Sequence, residues 1–505
     1  MSFPHFRHEF GGSKPGQSLL FAISSRKVGI YARKNNQKKH YFREKITNQT
    51  MLINFSVENF RSIGSEQTLN LVASKSQKGH EDHCVSIPGT DERTLRTAVI
   101  YGANAAGKSN LVRAMSFAQD LIIEGSGPSK RIALQQFRFT NEPARPSSFE
   151  FRFMLGNRIY VYGFDISKDE VSEEWLEATN DKGREAEVFH RKGKEVTFGD
   201  LKRFEQMSTA STDALKALET LGVRPNQLLL NKIVDLDGER RGEILNSVVF
   251  WFSQCLSIIP PEASFGPILE YLDSNSGFRN FAGEFLSSIG TGIGDLTVER
   301  NRIQADRLPK QLVESLKSLK DSDDSRIAVG PGMSLYLDPD DPTTVIRRNL
   351  ASKHSIDGHD FSLSFDEESD GTQRFLHLLP ALYHLKTRCK VFVIDELDRS
   401  LHPLLAHALL RFFVESCPGA CQQLVVTTHE THLLDQDLLR RDEIWFAEKD
   451  PKQQTHLYSL TELKVRNDLR IEKSYLQGRF GAIPFVGGME KLMQLVECPT
   501  ETGNA

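Results

Sequence analysis

The spacing of apolar positions changes several times along the chain, and each change predicts a different kind of element. Residues 52–60 (Leu-Ile-Asn-Phe-Ser-Val-Glu-Asn-Phe) put apolar side chains at nearly every second position, the period of a strand with one buried face. Residues 69–73 predict its partner. Residues 149–155 and Arg158–Ile166 alternate in the same way around Gly156-Asn157, a hairpin signal, and 171–178 and 185–191 continue the meander. At 110–124 the period lengthens: Leu111, Ala114, Met115, Ala118 and Leu121 share one face of a helix. From 197 to 325 the pattern predicts mainly helices, at 215–221, 242–258, 267–272 and 278–289, with Trp251, Phe252 and Leu256 as core. Strand character returns at Met333–Leu337 and 344–350. Residues 390–397, 424–428 and 442–447 carry runs that are apolar throughout, as Thr97–Tyr101 does, which suits strands buried on both faces in a parallel sheet. Helices at 373–386 and Pro403–Ser416 fall between them and give βαβ units.

The pattern therefore predicts an α/β fold with a mixed sheet: an antiparallel N-terminal lobe, a parallel core and a mainly helical insertion. The expected segments are 1–50, 51–196, 197–325, 326–450 and 451–505.

Chemistry enters where the Thr97–Tyr101 strand hands over to a helix. Residues Gly102-Ala103-Asn104-Ala105-Ala106-Gly107-Lys108-Ser109-Asn110 contain the G-x-x-x-x-G-K-S spacing of a phosphate-binding loop. Two glycines permit turns that a side chain would block. Successive N–H groups can then close around an anion at the positive end of the helix. Lys108 is expected to reach the β- and γ-phosphates of ATP, and Ser109 to hold Mg²⁺.

A second constellation follows late in the chain. Val391-Phe392-Val393-Ile394 ends in Asp395-Glu396, two carboxylates at the carboxyl end of a strand, where ligands of parallel sheets bind. One acid suffices to hold the metal; the other can orient and deprotonate a water. Asp395 is assigned the metal and Glu396 the base. Ser369-Asp370-Gly371-Thr372-Gln373-Arg374 opens a helix, with Ser369 as N-cap and Gly371 allowing close backbone approach, a possible second anion site. Asp398, shortly after Glu396, and His429, at the end of the 424–428 strand, complete the set. His429 can exchange a hydrogen bond with phosphate or water.

Composition narrows the setting. The chain has 505 residues, enough for two or three domains. Ten of its 63 basic residues and only two of its 67 acidic ones fall in residues 1–50, so the rest is acidic, which argues against a surface given over to nucleic acid. The first fifty residues read either as a basic arm or as an upstream extension with Met51 as the natural start. No apolar run is long enough to span a membrane and none suits a signal peptide. The six cysteines are scattered and read as reduced thiols of a cytoplasmic protein.

The order of these motifs (phosphate loop, insertion, Ser-x-Gly-x-Gln, apolar-Asp-Glu strand, Asp turn, strand-His) resembles the ATP-binding-cassette-type AAA ATPases. Within them it is similar to the SMC-, OLD- and RecF-like branch, through the opening Ile53-Asn54-Phe55-Ser56-Val57-Glu58-Asn59-Phe60-Arg61-Ser62-Ile63. Asp366-Glu367-Glu368-Ser369-Asp370-Gly371-Thr372-Gln373-Arg374 and the late Lys473-Ser474-Tyr475-Leu476-Gln477-Gly478-Arg479-Phe480-Gly481-Ala482-Ile483-Pro484 resemble ATPases of bacterial abortive-infection and anti-phage systems. The resemblance implies a P-loop NTPase head of ABC type that binds and hydrolyses ATP with Mg²⁺, slowly and gated by a partner or by oligomerisation. It implies two heads sandwiching two ATPs, with Ser369, Gly371 and Gln373 of one chain closing on the nucleotide held by Lys108 of the other. Asp398 would lie at the seam, His429 would sense the γ-phosphate and Arg61 would sit near the phosphates. A lid glutamine is implied, with Gln135 and Gln136 at about the right distance. Asp370 stands where many cassette proteins have Gly. OLD-type proteins carry a nuclease domain, but no strand-ending carboxylate set of that kind follows His429, so a separate effector, for example a nuclease, is expected. The alternative is a RecF- or SMC-like repair ATPase that binds DNA.

Overall fold

The computed structural model describes residues 49–127, 130–141, 145–180, 183–261, 268–318, 326–330, 332–384, 389–416, 422–463, 471–477 and 479–480. The basic stretch before residue 49, Cys417, Cys421, Cys498, and Gly478 and Gly481–Pro484 of the late motif lie outside them.

A six-stranded sheet carries the ends at which the predicted residues gather. Its spatial order is Leu256–Ile259, Val391–Ile394, Gln423–Thr428, Thr97–Tyr101, Ile444–Lys449 and Thr455–Ser459. All neighbours are parallel except the last pair. The register sets Ile394 against Val426 and Tyr101 against Thr428, so residues 395, 429 and 102 leave the sheet along one edge.

The continuous apolar runs have a direct cause, because both faces of this sheet are covered. Ala98, Ile100, Val391, Val393 and Val425 face a core shared with the helix Lys108–Ile123. Val99, Tyr101, Phe392, Ile394, Leu424 and Val426 face a second core, shared with Phe375 and Leu379 of the helix Asp370–His384 and with Leu410 and Phe413 of Pro403–Ser416. Burying one such aliphatic side chain is worth roughly 1.5–3 kcal/mol, so a polar residue on either face is selected against.

The antiparallel lobe is a seven-stranded sheet, ordered Glu195–Phe198, Glu185–Lys192, Val171–Thr179, Arg158–Ile166, Ser147–Leu155, Thr50–Glu58 and Gln67–Asn70. Its inner face is aromatic: Phe153 stacks on Trp251 with centroids 4.0 Å apart, and Phe151 meets the edge of Phe252 at 5.2 Å. Gln423 is one of the side chains that join lobe to core. Gln423, fully buried, accepts from Leu52 N (2.7 Å) and donates to Leu52 O (2.9 Å) and Leu95 O (2.7 Å). Leu52 lies beyond the pairing of its strand with Gln67–Asn70, which covers residues 54–57, and Gln423 takes up its backbone groups there.

The stretch 197–325 differs from the helical expectation in two places. Helices Thr209–Leu221, Leu229–Val234, Glu243–Phe250, Ser276–Ser288 and Lys310–Ser318 are present. The helix expected over 242–258, however, stops at Phe250, passes through a π turn (Trp251–Cys255) and becomes the strand Leu256–Ile259. Short apolar runs do not distinguish helix from strand, and here parallel pairing with Val391–Ile394 decides. Gln119 donates to the carbonyls of Phe252 (2.6 Å) and Leu256 (3.0 Å), supporting that change of conformation. The second difference is Ile293–Gln304, a strand whose residues 299–302 are all exposed, so it shows no apolar alternation to read. It opens a five-stranded sheet: Ile293–Gln304, Thr344–Ile356, Met333–Leu337 and Arg326–Gly330 in order, with His359–Ser364 also pairing to Thr344–Ile356.

Cys389 is disulfide-bonded while Cys84 and Cys255 are free, so the reading of all six cysteines as reduced thiols does not hold. Among the described residues no helix is long and apolar enough to cross a membrane.

Candidate active site

Residues 102–107 form the loop between the Thr97–Tyr101 strand and the helix that begins at Lys108. A Cβ at position 102 would lie 2.4 Å from Ala447 O, so only glycine passes the neighbouring strand there. Gly107 has φ +107° and abuts the Thr455 hydroxyl, which leaves no space for a side chain. Ala105 is also left-handed, at φ 66°. Asn104 and Ala105 are exposed at the tip, and Ala106 is buried beneath it.

Lys108 is buried, and its amine donates to Gly102 O (2.5 Å) and Ala103 O (3.1 Å) of its own loop. Burial lowers its pKa, against the pull of Asp398, Asp395 and Glu396. Ser109 Oγ donates to Asp395 Oδ1 at 3.1 Å, which joins the two sequence motifs across the sheet. The same oxygen accepts from Thr427 Oγ1 at 2.5 Å, and Thr427 Oγ1 in turn accepts from Glu396 N at 2.8 Å. Glu396 has φ 52°, a left-handed conformation that costs a non-glycine residue about 1–3 kcal/mol. Its side chain is partly exposed, whereas Asp395 is 1% exposed.

Asp398 and His429 are brought together: Oδ2 lies 3.0 Å from Nδ1, with the carboxylate buried and the imidazole more than half exposed. The other oxygen of Asp398 is buried without a partner. Asn110 donates to Ser62 Oγ at 2.7 Å. Arg61, next in the chain, is left-handed at φ 52°, with its N–H bonded to Gln135 O at 2.7 Å and its Nε buried without a partner. Burial and Arg113 lower its pKa. Gln136 spends its side chain on Arg145 O (2.7 Å), whereas Gln135 is exposed.

Ser369, Gly371 and Gln373 form a separate group. Ser369 is exposed, and its hydroxyl accepts from Thr372 N (3.2 Å) and meets Thr372 Oγ1 (2.9 Å). Gly371 packs against the turn after Glu396, where a Cβ would meet Ser400 O at 2.8 Å. Gln373 turns back on its own loop, donating to Glu368 O (2.8 Å) and Asp366 O (3.3 Å). Arg374, buried, donates to Asp395 O (3.2 Å) and to the carbonyls of Pro260 and Pro261 (3.3 Å each). It thus ties this helix to the strand end bearing the two acids.

Sequence reasoning missed Thr427, Arg374 and the pair that grips the phosphate loop from behind. Thr455 Oγ1 bonds to Ala106 O (2.9 Å) and to Ser62 Oγ (2.7 Å). Thr427 left a signal, a hydroxyl residue at the end of an apolar strand. Thr455, 349 positions from Ala106, left none.

The donor set suits a magnesium ion, which takes hydroxyl and carboxylate oxygens and leaves its other positions to water and phosphate. Ser109 Oγ and Asp395 Oδ1 stand side by side at the loop mouth. Among the described residues no group of three His, Cys, Asp or Glu gathers to hold a metal alone.

Residues 98–435 match the model of the family described as "AAA domain, putative AbiEii toxin, Type IV TA system". No curated protein matches. Solved structures are similar at low identity. The SMC head domain from Thermotoga maritima is 10% identical, covering 82% of this chain and 99% of that one, with TM-score 0.33. The Smc head domain with an extended coiled coil, bound to the C-terminal domain of ScpA derived from Pyrococcus furiosus, is 13% identical, covering 85% and 99%, with TM-score 0.36. The recombination mediator protein RecF is 14% identical, covering 82% and 99%, with TM-score 0.32.

Proposed function

The chain belongs to this AAA-domain family, and from that premise we propose that it is a magnesium-dependent ATPase. We propose further that it serves as the sensor or scaffold of a bacterial anti-phage system and controls a separate effector protein. The observation that carries the ATPase reading is the contact of Ser109 with Asp395 at the mouth of the phosphate loop, beside Glu396. The family description, which names a toxin of a type IV toxin–antitoxin system, supports the defence setting.

The residues divide the work. The N–H groups of 102–109 cradle the phosphates. Lys108 exchanges its two loop carbonyls for phosphate oxygens, its charge favoured by the three acids around it. Magnesium, when bound by Ser109 and Asp395, neutralises charge on the transferring phosphoryl group. Thr427 holds both acids in place: its hydroxyl fixes Asp395 Oδ1 and receives the N–H of Glu396. Glu396, turned out by its left-handed backbone, orients water and takes its proton. Asp398 orients His429 toward the γ-phosphate. Ser369 is exposed and bonded within its own helix turn, which suits action on the nucleotide of a second copy, with Gly371 allowing the approach. Turnover is slow until two heads meet.

The test has two parts. Purified chain should release phosphate from ATP with magnesium, and Lys108→Ala should not; equal rates would contradict the assignment. Tagged Glu396→Gln chain, recovered from its native host with ATP and magnesium, should retain one protein that Lys108→Ala chain does not. Recovery of duplex DNA alone, lost steeply with salt, would replace the effector reading with a RecF- or SMC-like one.

A further inference from the structure

We infer that Glu368 is a positioning residue for Ser369, and that it makes the five-stranded sheet the element that sets where Ser369 stands. The inference rests on the ATPase reading above and extends it to residues that reading leaves unused.

The run Asp366-Glu367-Glu368 places three carboxylates directly before a serine proposed to meet a phosphate, an unfavourable choice unless each acid has other work. Asp366 and Glu367 close the turn before the helix: Asp366 accepts from Ser364 Oγ, and Glu367 accepts from Ser364 N at 3.0 Å. Both are exposed.

Glu368 is different. Its side chain is only 9% exposed. Its Oε1 accepts from Ser352 Oγ at 2.5 Å and meets His354 Nε2 at 2.7 Å. Both partners lie on Thr344–Ile356, where that strand is paired on each side. Ser352 stands opposite Leu296 and Leu363, and His354 opposite Ile293 and Phe361. The anchor therefore lies on a part of the small sheet that is paired on both sides.

The backbone of Glu368 is held from the other direction, its carbonyl receiving Gln373 Nε2 at 2.8 Å. So one residue has its carboxylate fixed by the sheet and its carbonyl fixed by the helix Asp370–His384, and the next residue is Ser369. A shift of the sheet relative to the helix cannot leave Ser369 where it was. Without the carboxylate anchor, Ser369 keeps its hydroxyl and its helix cap, and loses only its fixed place.

The test compares full-length Glu368→Ala, Glu368→Gln and Ser369→Ala with the wild type, reading ATP turnover at saturation and nucleotide affinity separately. Glu368→Ala should lower kcat about ten-fold, the size expected for lost hydrogen bonds to a carboxylate, and leave affinity for ATP within about two-fold. Glu368→Gln keeps an acceptor oxygen and should retain most of the turnover. Mixing Glu368→Ala chain with Lys108→Ala chain should restore turnover above either alone, because the mixed pair has one site with an intact loop and an intact Ser369. A merely misfolded variant would not be rescued this way. Wild-type kcat in Glu368→Ala, with loss in Ser369→Ala, overturns the positioning role. So does a fall in turnover that Glu368→Gln and mixing both fail to relieve. A wild-type chain that shows no turnover overturns the ATPase reading itself, and this inference with it.

Discussion

Two buried carboxylates, Glu174 in the antiparallel lobe and Asp395 at the end of the parallel sheet, are surrounded very differently. Glu174 accepts from Leu229 N (2.6 Å), Leu230 N (2.8 Å) and Tyr162 OH (3.0 Å), and Arg191 lies 3.6 Å away. Arg191 in turn donates to the carbonyls of Gly193, Gln227 and Arg224. That network is closed and fixes the start of the helix Leu229–Val234 on the sheet. Asp395 has Ser109 and Thr427 on one oxygen. Around it Lys108 is turned onto its own loop, one Asp398 oxygen is buried without a partner, and Glu396 sits in a strained backbone conformation. Satisfied buried polar groups rigidify a core; a cluster with bonding capacity in reserve is where a ligand is expected.

Substitutions should separate the two regions. At the site, Glu396→Gln should cut turnover by about 10²–10⁴-fold with no loss of folding stability, measured as phosphate release beside a denaturant melt. In the lobe, Glu174→Ala should cost about 3–5 kcal/mol of stability, because it strands Arg191 in a dry interior. Asp395→Asn should do the reverse: an amide oxygen still receives Ser109 and Thr427, so the melt should shift by less than about 1 kcal/mol while magnesium-supported turnover is lost. A large stability loss in Asp395→Asn would erase the contrast. Thr455→Val removes the hydroxyl behind the phosphate loop and should weaken ATP binding about ten-fold, read by titration with a fluorescent nucleotide.

The smallest effect is on pH dependence. Burial raises the Glu174 carboxyl above its ordinary 4.5, against the pull of Arg191, its N–H donors and Tyr162. The folded chain keeps that proton at pH values where the unfolded chain has lost it. Its contribution to stability therefore falls as pH rises from 4.5 through the raised value. Glu174→Gln cannot titrate and should flatten that part of the stability curve, as followed by melts across this range.

The same contrast shows what a sequence discloses. The phosphate loop and the Asp395-Glu396 strand were legible because their chemistry demands fixed residue types at fixed spacing beside apolar runs. The parallel sheet was legible because burial on both faces leaves no polar position in Val391–Ile394. What escaped depends on partners distant in the chain. Leu256–Ile259 is a strand only because Val391–Ile394 lies beside it, and Ile293–Gln304 shows no apolar period because its residues 299–302 are all exposed. Gln423, Thr455 and Glu174 act through contacts up to 393 positions away, which no local period records.

Lys108 and Ser109 of one chain and Ser369 of another are proposed to enclose a single ATP. Sedimentation of Glu396→Gln chain with magnesium and ATP tests this most directly. A dimer should form with ATP, be absent with ADP, be lost when either Ser369→Arg or Lys108→Ala is carried by both chains, and return when Ser369→Arg chain is mixed with Lys108→Ala chain, because both lesions then share one composite site and leave the other intact. A Glu396→Gln chain that binds ATP and stays monomeric at every concentration tested would contradict it.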